Sequence, residues 1–224
     1  FAAGVLGGPI LAEYMSIPGL FYMSAVMGGL SIVALVFLVP EPAVKRSAPR
    51  PAFREILAVF HDPVLTRINM AMLALHLSTT ALFVILPLRV ERFWDREDAW
   101  QVYGPAIGAG MIAMWLAAGW IDRHRIDRPV LIVGAVFLTA GSLALRFGLN
   151  TAPGLFWGLL LFVTGFALIE PILPALVTRY TSVAVRGTAA GAFSMSQFFG
   201  AGIGGVTAAF FLARHAEHMF WVLA

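Results

Sequence analysis

Of 224 residues, 60% are hydrophobic and only 12% are charged, with a mean hydropathy of +0.86. A soluble domain of this length carries about 25% charged residues and must cover itself with polar groups, so a soluble globular fold is excluded. The isoelectric point near 9.8 would fit a nucleic-acid binder only if the basic residues shared one surface. They sit instead in short loops between apolar blocks and form no helical stripe, so nucleic acid is not an expected partner. With no cysteine, disulfides play no part.

In chain order, apolar blocks of membrane-spanning length alternate with short polar clusters; a buried strand would need only roughly four to eight residues. The first block, 1–16, holds Gly4, Gly7, Gly8 and Pro9. A second runs over 20–39 and stops at Pro40, Glu41 and Pro42. The stretch 41–64 is the most polar, with Lys45, Arg46, Arg50 and Arg54 near Pro49 and Pro51, and reads as a linker. Within it Phe53, Ile56, Leu57 and Phe60 fall at helical spacing against Arg54 and Glu55, which predicts a short interfacial helix. Further spans are predicted at 66–88, 100–121, 129–147, 154–178 and 186–212, with another starting near His218. The fold class is therefore all-α, a polytopic transmembrane helix bundle: one bundle ending over 1–40, a cytoplasmic linker at 41–64, and a second bundle at 65–224. Both ends fall inside apolar stretches, and the chain reads as part of a longer protein.

Short loops make successive spans antiparallel, so placing the linker inside assigns every other loop. The inside then holds Lys45, Arg46, Arg50, Arg54, Arg67, Arg123, Arg125, Arg128, Arg179 and Arg186, and the outside holds Arg89, Arg92, Arg96, Arg146 and Arg214. This asymmetry sets the cytoplasmic side. A cysteine replacing Ser47 in the full-length protein is expected to react only with reagents that reach the cytoplasm, and one replacing Ala99 only with external ones. Reversed labelling would invert the topology.

Polar residues inside spans carry the functional expectation, because the bilayer excludes them unless they face a bundle interior or a wet cavity. Glu170 lies between Phe166 and the pair Pro171 and Pro174. Desolvation favours the neutral form of a carboxylic acid, so such a group can load and release a proton. His76 is the second candidate proton carrier, since histidine titrates near neutrality. His76 is nine residues after Arg67 and Glu170 is nine before Arg179. At about 1.5 Å per residue, both are expected roughly 13–14 Å deep in a core about 30 Å thick. Asn69, Met72, His76, Thr80 and Phe83 recur at helical spacing and are expected to line a substrate cavity, with Gln197 at similar depth on a third span. Met72 and Phe83 are of types that more often pack than contact substrate. His76 could be a satisfied packing histidine, and Glu170 could be a structural carboxylate bonded to Ser or backbone in a packed interface. The prolines after Glu170 free backbone carbonyls, as happens where a helix lines a cavity. The five histidines show no metal spacing, and no phosphate loop or nucleophile elbow is present. Neither a metal, a cofactor nor an enzymatic activity is expected.

Several segments together resemble the major facilitator superfamily, in particular its drug/proton antiporters. Gly4, Gly7, Gly8 and Pro9 resemble the glycine-proline motif of a fifth helix, 20–42 a sixth helix and its end, and 41–64 the loop between halves. Arg186, Gly187, Thr188, Gly191, Ser194, Ser196 and Gln197, followed by Gly200, Gly202, Gly204 and Gly205, resemble the loop before the eleventh helix and that helix itself. The resemblance runs from mid helix five to the start of helix twelve and is closest to a YajR-like bacterial subgroup. Ala12 and Glu13 replace the paired glycines usual in the fifth helix, and Asp122, Arg123, His124 and Arg125 keep a gating-loop motif without its glycine.

The resemblance implies two six-helix halves, incomplete here, with helices seven and ten lining a central cavity where His76 and Glu170 would stand. It implies conformational or gating roles for Gly4, Gly8, Pro9, Asp122, Arg123, Gly200 and Gly204. The expected protein is a monomeric, proton-coupled exporter of hydrophobic or amphipathic small molecules in the inner (plasma) membrane. Its partners would be the bilayer, substrate and protons. A metabolite importer or uniporter of the same fold, or a proton-conducting subunit of a membrane complex, are the alternatives.

Overall fold

The computed structural model describes residues 11, 14–40, 52–124, 127–212 and 219–223, and the chain divides into two compact units, residues 1–49 and 50–224. In the first unit, α1 spans Ile17–Leu38 and starts on Pro18, whose missing N–H costs nothing in a first helical turn. Its 22 residues reach about 33 Å, enough to cross a bilayer core. The Ser24 and Ser31 hydroxyls donate to the Leu20 and Met27 carbonyls one turn back, which satisfies them within a helix of otherwise apolar character.

The second unit holds α2 (Phe53–His61), α3 (Pro63–Val90), α4 (Trp100–His124), α5 (Asp127–Gly148), α6 (Ala152–Ile169), α7 (Ile172–Tyr180), α8 (Arg186–Leu212) and α9 (Met219–Leu223). A 3₁₀ turn at Arg96–Asp98 lies between α3 and α4. Among the described residues six stretches are long and apolar enough to cross a membrane: Pro18–Leu38, Pro63–Val90, Trp100–Ile121, Asp127–Gly148, Ala152–Tyr180 and Arg186–Leu212. They match the spans expected from 20 onward to within a few residues. The block 1–16 lies almost wholly outside the described residues.

Local chemistry explains where the helices begin. The Asp62 carboxylate accepts from the Val64 and Leu65 N–H groups at 2.7 and 3.0 Å, and Pro63 follows it, so α3 starts with both N-terminal devices. Thr151 caps α6 by accepting from the Gly154 N–H at 3.2 Å. The span expected over 154–178 is present as Ala152–Tyr180, interrupted at Glu170 and Pro171 by a two-residue turn whose backbone stays in the helical region. Pro171 and Pro174 lack the N–H groups that would bond the carbonyls of Ala167 and Glu170, and Glu170-Pro171 is a turn between α6 and α7.

Lipid supplies no hydrophobic drive for helix association, so close packing must come from small residues. α3 packs along α8, α5 along α6, and α4 along α6. On α8, Ala192, Ser196, Gly200, Gly204 and Ala208 repeat every four residues. A Cβ at Gly200 would strike the carbonyl of Leu73, and one at Gly204 the carbonyl of Leu77, so the two backbones touch there. Gly134 and Gly141 on α5 meet Gly165 and Phe162 of α6 in a second seam of the same kind.

A hydrophobic cluster closes one end of this unit. Val59 from α2, Leu65, Ile68, Met72 and Leu75 from α3, Leu173 and Val177 from α7, and Ala189 and Phe193 from α8 pack together with Ile169. The start of α3, the end of α7 and the start of α8 all lie at this end. It is the end that carries Arg67, Arg179 and Arg186.

Candidate functional site

Just beyond that cluster, three helices bring polar side chains together. His76 is half-buried on α3, and its Nε2 lies 2.9 Å from the amide nitrogen of Gln197 on α8. The contact exists because Gly200, three residues past Gln197, lets α8 approach the α3 backbone at Leu73, three residues before His76. With the amide N–H donating, Nε2 must be unprotonated. Turning the amide end for end presents its oxygen to an Nε2–H instead, so Gln197 can accompany both protonation states of His76. The Nδ1 atom is buried without a well-formed hydrogen bond, with the Met72 carbonyl one turn back within electrostatic reach.

The third contributor is α6. The ring of Phe166 meets the His76 imidazole edge-on, with centroids 6.0 Å apart and planes inclined by 63°. Phe166 is one turn before Glu170, so both share the α6 face turned toward α3. The Glu170 N–H still bonds the Phe166 carbonyl at 2.9 Å, which makes Glu170 the last residue held by α6 at the turn. Its side chain is half-buried and lies within electrostatic range of His76. Among the described residues no hydrogen bond or ion pair holds its carboxylate, unlike the fixed geometry of a structural carboxylate.

The other residues expected at this site are placed as follows. Asn69, Thr80 and Phe83 are half-buried on α3. Met72, expected on the cavity stripe, is 1% exposed and packs inside the cluster with Leu173 and Phe193, so in this arrangement it has no surface to offer a ligand. Gly200 and Gly204 form the α3–α8 seam. Asp122 and Arg123 complete the last turn of α4, and their side chains lie outside the described residues, as do Gly4, Gly8 and Pro9 in full.

Two features were not expected from sequence. One is Phe166, although its spacing four residues before Glu170 is a visible signal. The other is an ion pair, Arg179 Nη1 to Asp127 Oδ2 at 2.6 Å, which ties the end of α7 to the start of α5. Asp127 opens a helix and Arg179 closes one, so each charge also opposes its own helix dipole. Nothing in one dimension pairs residues fifty-two apart.

Residues 1–205 match the family described as the Major Facilitator Superfamily. The chain is 27% identical over 215 residues to the inner membrane transport protein YajR of Escherichia coli K12, covering 92% of this chain and 46% of that protein. It is 22% identical over 213 residues to an uncharacterised transporter of Buchnera aphidicola from Baizongia pistaciae, covering 92% of this chain and 54% of the relative. A second Buchnera transporter, from the Acyrthosiphon pisum subspecies, is 22% identical over 204 residues, covering 89% and 52%. The chain thus spans about half the length of the relatives it matches.

Proposed function

We infer from the Major Facilitator Superfamily, to which this chain belongs, that it is the later part of a multi-pass inner-membrane transporter that couples proton movement to a small molecule. What supports the reading is that His76 and Gln197 meet at 2.9 Å from two helices, with Glu170 nearby on a third at a proline interruption of its span. Proline-interrupted spans are pointers to the region near the bilayer midplane where transporters bind substrate and coupling ion. A carboxylate that no described residue holds, near an imidazole whose partner suits either protonation state, can take up and release a proton at little structural cost. Alternating access then follows if substrate favours one protonation state, because linkage makes the effect reciprocal. Outward transport of hydrophobic or amphipathic compounds in exchange for protons is the direction and substrate class we propose. The aromatic ring of Phe166 against His76 supports it.

The test is transport by the full-length protein in liposomes under an imposed pH gradient. Wild-type protein is expected to move substrate against its own gradient when protons flow the other way. His76→Ala should retain gradient-driven transport with a displaced pH optimum, because Glu170 still titrates while its neighbour no longer does. Transport that ignores the pH gradient would leave a uniporter.

A further inference from the structure

The helix α2 takes no part in the site, yet its surface is not that of a plain connector. Three of its apolar side chains, Phe53, Leu57 and Phe60, stand at 74%, 42% and 52% exposure. At spacings of four and three residues they form one ridge along the helix. On one flank of the ridge Val59 is buried in the hydrophobic cluster. On the other flank lies exposed Arg54.

Its placement follows from two contacts. A single residue in extended conformation, Asp62 at φ −69° and ψ 119°, separates α2 from α3, so α2 cannot continue along the α3 axis. Val59 packs with Leu65 near the start of α3, Val177 near the end of α7 and Ala189 near the start of α8. The helix therefore folds back across the basic end of the bundle, where the apolar run of α3 begins. With the expected topology, a ridge at that level lies close to where headgroups meet acyl chains. Arg54 and, at the start of α3, Arg67 are both exposed and ion-pair with no described residue. In sequence, Lys45, Arg46 and Arg50 precede them.

We propose that α2 is an anionic-lipid docking helix: the Phe53, Leu57 and Phe60 ridge inserts into the inner-leaflet interface while Arg54 and Arg67 engage acidic headgroups. The two halves of the surface require each other. An apolar ridge of three side chains binds a bilayer weakly, and interfacial helices gain their affinity from apolar area and basic charge together. The cytoplasmic leaflet supplies the opposite charge, and its attraction decays within a Debye length, so only basic groups held at headgroup level gain from it. The inference rests on the membrane topology and is independent of the transport reading.

The test uses the full-length protein with Leu57→Cys carrying an environment-sensitive bimane label. It is reconstituted in phosphatidylcholine vesicles with or without phosphatidylglycerol, and quenching by brominated acyl chains is read. Lipid quenching is expected to rise with phosphatidylglycerol. Arg54→Gln and Arg67→Gln should each reduce the membrane-inserted fraction, relative to the solvated one, by about fivefold, and both together by about thirtyfold. Arg54→Lys with Arg67→Lys should preserve it. Both arginines are exposed, so these variants leave the packed cluster intact, and thermal unfolding checks this directly. Lipid quenching that is indifferent to phosphatidylglycerol would overturn the proposal. So would a label protected from both lipid-borne and aqueous quenchers, which would mean that polypeptide covers the ridge.

Discussion

Glu170→Gln in the full-length protein is expected to reduce proton-gradient-driven transport to the level of protein-free liposomes, while substrate binding persists. The substitution keeps the size and hydrogen-bonding capacity of the side chain and removes only its ability to gain and lose a charge. In the wild type, binding coupled to one proton changes by up to about tenfold per pH unit in the range where that proton is exchanged. The variant should bind with nearly flat pH dependence, because the exchanging group is gone and reciprocity removes the coupling in both directions. A structural carboxylate would behave differently: the variant would express poorly or unfold at lower temperature, with coupling intact in each surviving molecule. Full gradient-driven transport by Glu170→Gln would take Glu170 out of the mechanism. Among the described residues no hydrogen bond or ion pair holds its carboxylate, which favours the first outcome, since glutamine then disturbs no described hydrogen-bonded geometry.

Gly200→Ala and Gly202→Ala, two residues apart on α8, are expected to change stability in opposite directions. At Gly200 a Cβ would meet the Leu73 backbone, with the Leu73 carbon atoms at 2.9 Å and the oxygen closer still. Backbone cannot rotate away as a side chain can, so the helices must separate. Overpacking of this kind costs about 1–3 kcal/mol. At Gly202 nothing lies within 4 Å of the added atom, and alanine gains up to about 1 kcal/mol over glycine in a helix. Thermal unfolding of the purified full-length protein, with both variants side by side, reads the difference. Gly200→Ala should also lengthen the His76–Gln197 contact, because the same approach of α8 to α3 creates it. Equal stabilities would mean that the α3–α8 seam is not as tight as the backbone contact at Leu73 requires. A conformational role for these glycines, as the family resemblance implies, needs the seam to exist first.

The two-residue turn between α6 and α7 gives the site a mechanical setting. α7 is nine residues long, joined to α6 through a turn at Glu170 and held at its far end by the Arg179–Asp127 pair. That pair is 38% exposed at Arg179, and exposed pairs contribute roughly 1 kcal/mol or less. A tie of this strength orients a segment without locking it.

Much of this protein is determined by its one-dimensional pattern. Hydropathy alone locates the spans, because a bilayer leaves no alternative to helices of about twenty apolar residues. Cost alone singles out Glu170 and His76, since a polar group in a span persists only where something uses or satisfies it. Counting residues from Arg67 and Arg179 put the two at one depth, because rise per residue is constant along a helix. What counting could not decide was azimuth and neighbour. That α3 packs on α8 and not on the helix that follows it depends on complementary small-residue stripes, whose pairing is chosen only when all helices compete in three dimensions. Gln197 therefore became a partner of His76 through the glycines beside it, while Met72, on the same stripe as His76, turned at the stripe's edge into the packed cluster. Pro171 and Pro174 were legible as residues, but whether two prolines kink or break a helix depends on what its neighbours satisfy. Here the backbone at Glu170 and Pro171 stays in the helical region, so the span is interrupted over two residues without being unwound, with Glu170 at the interruption.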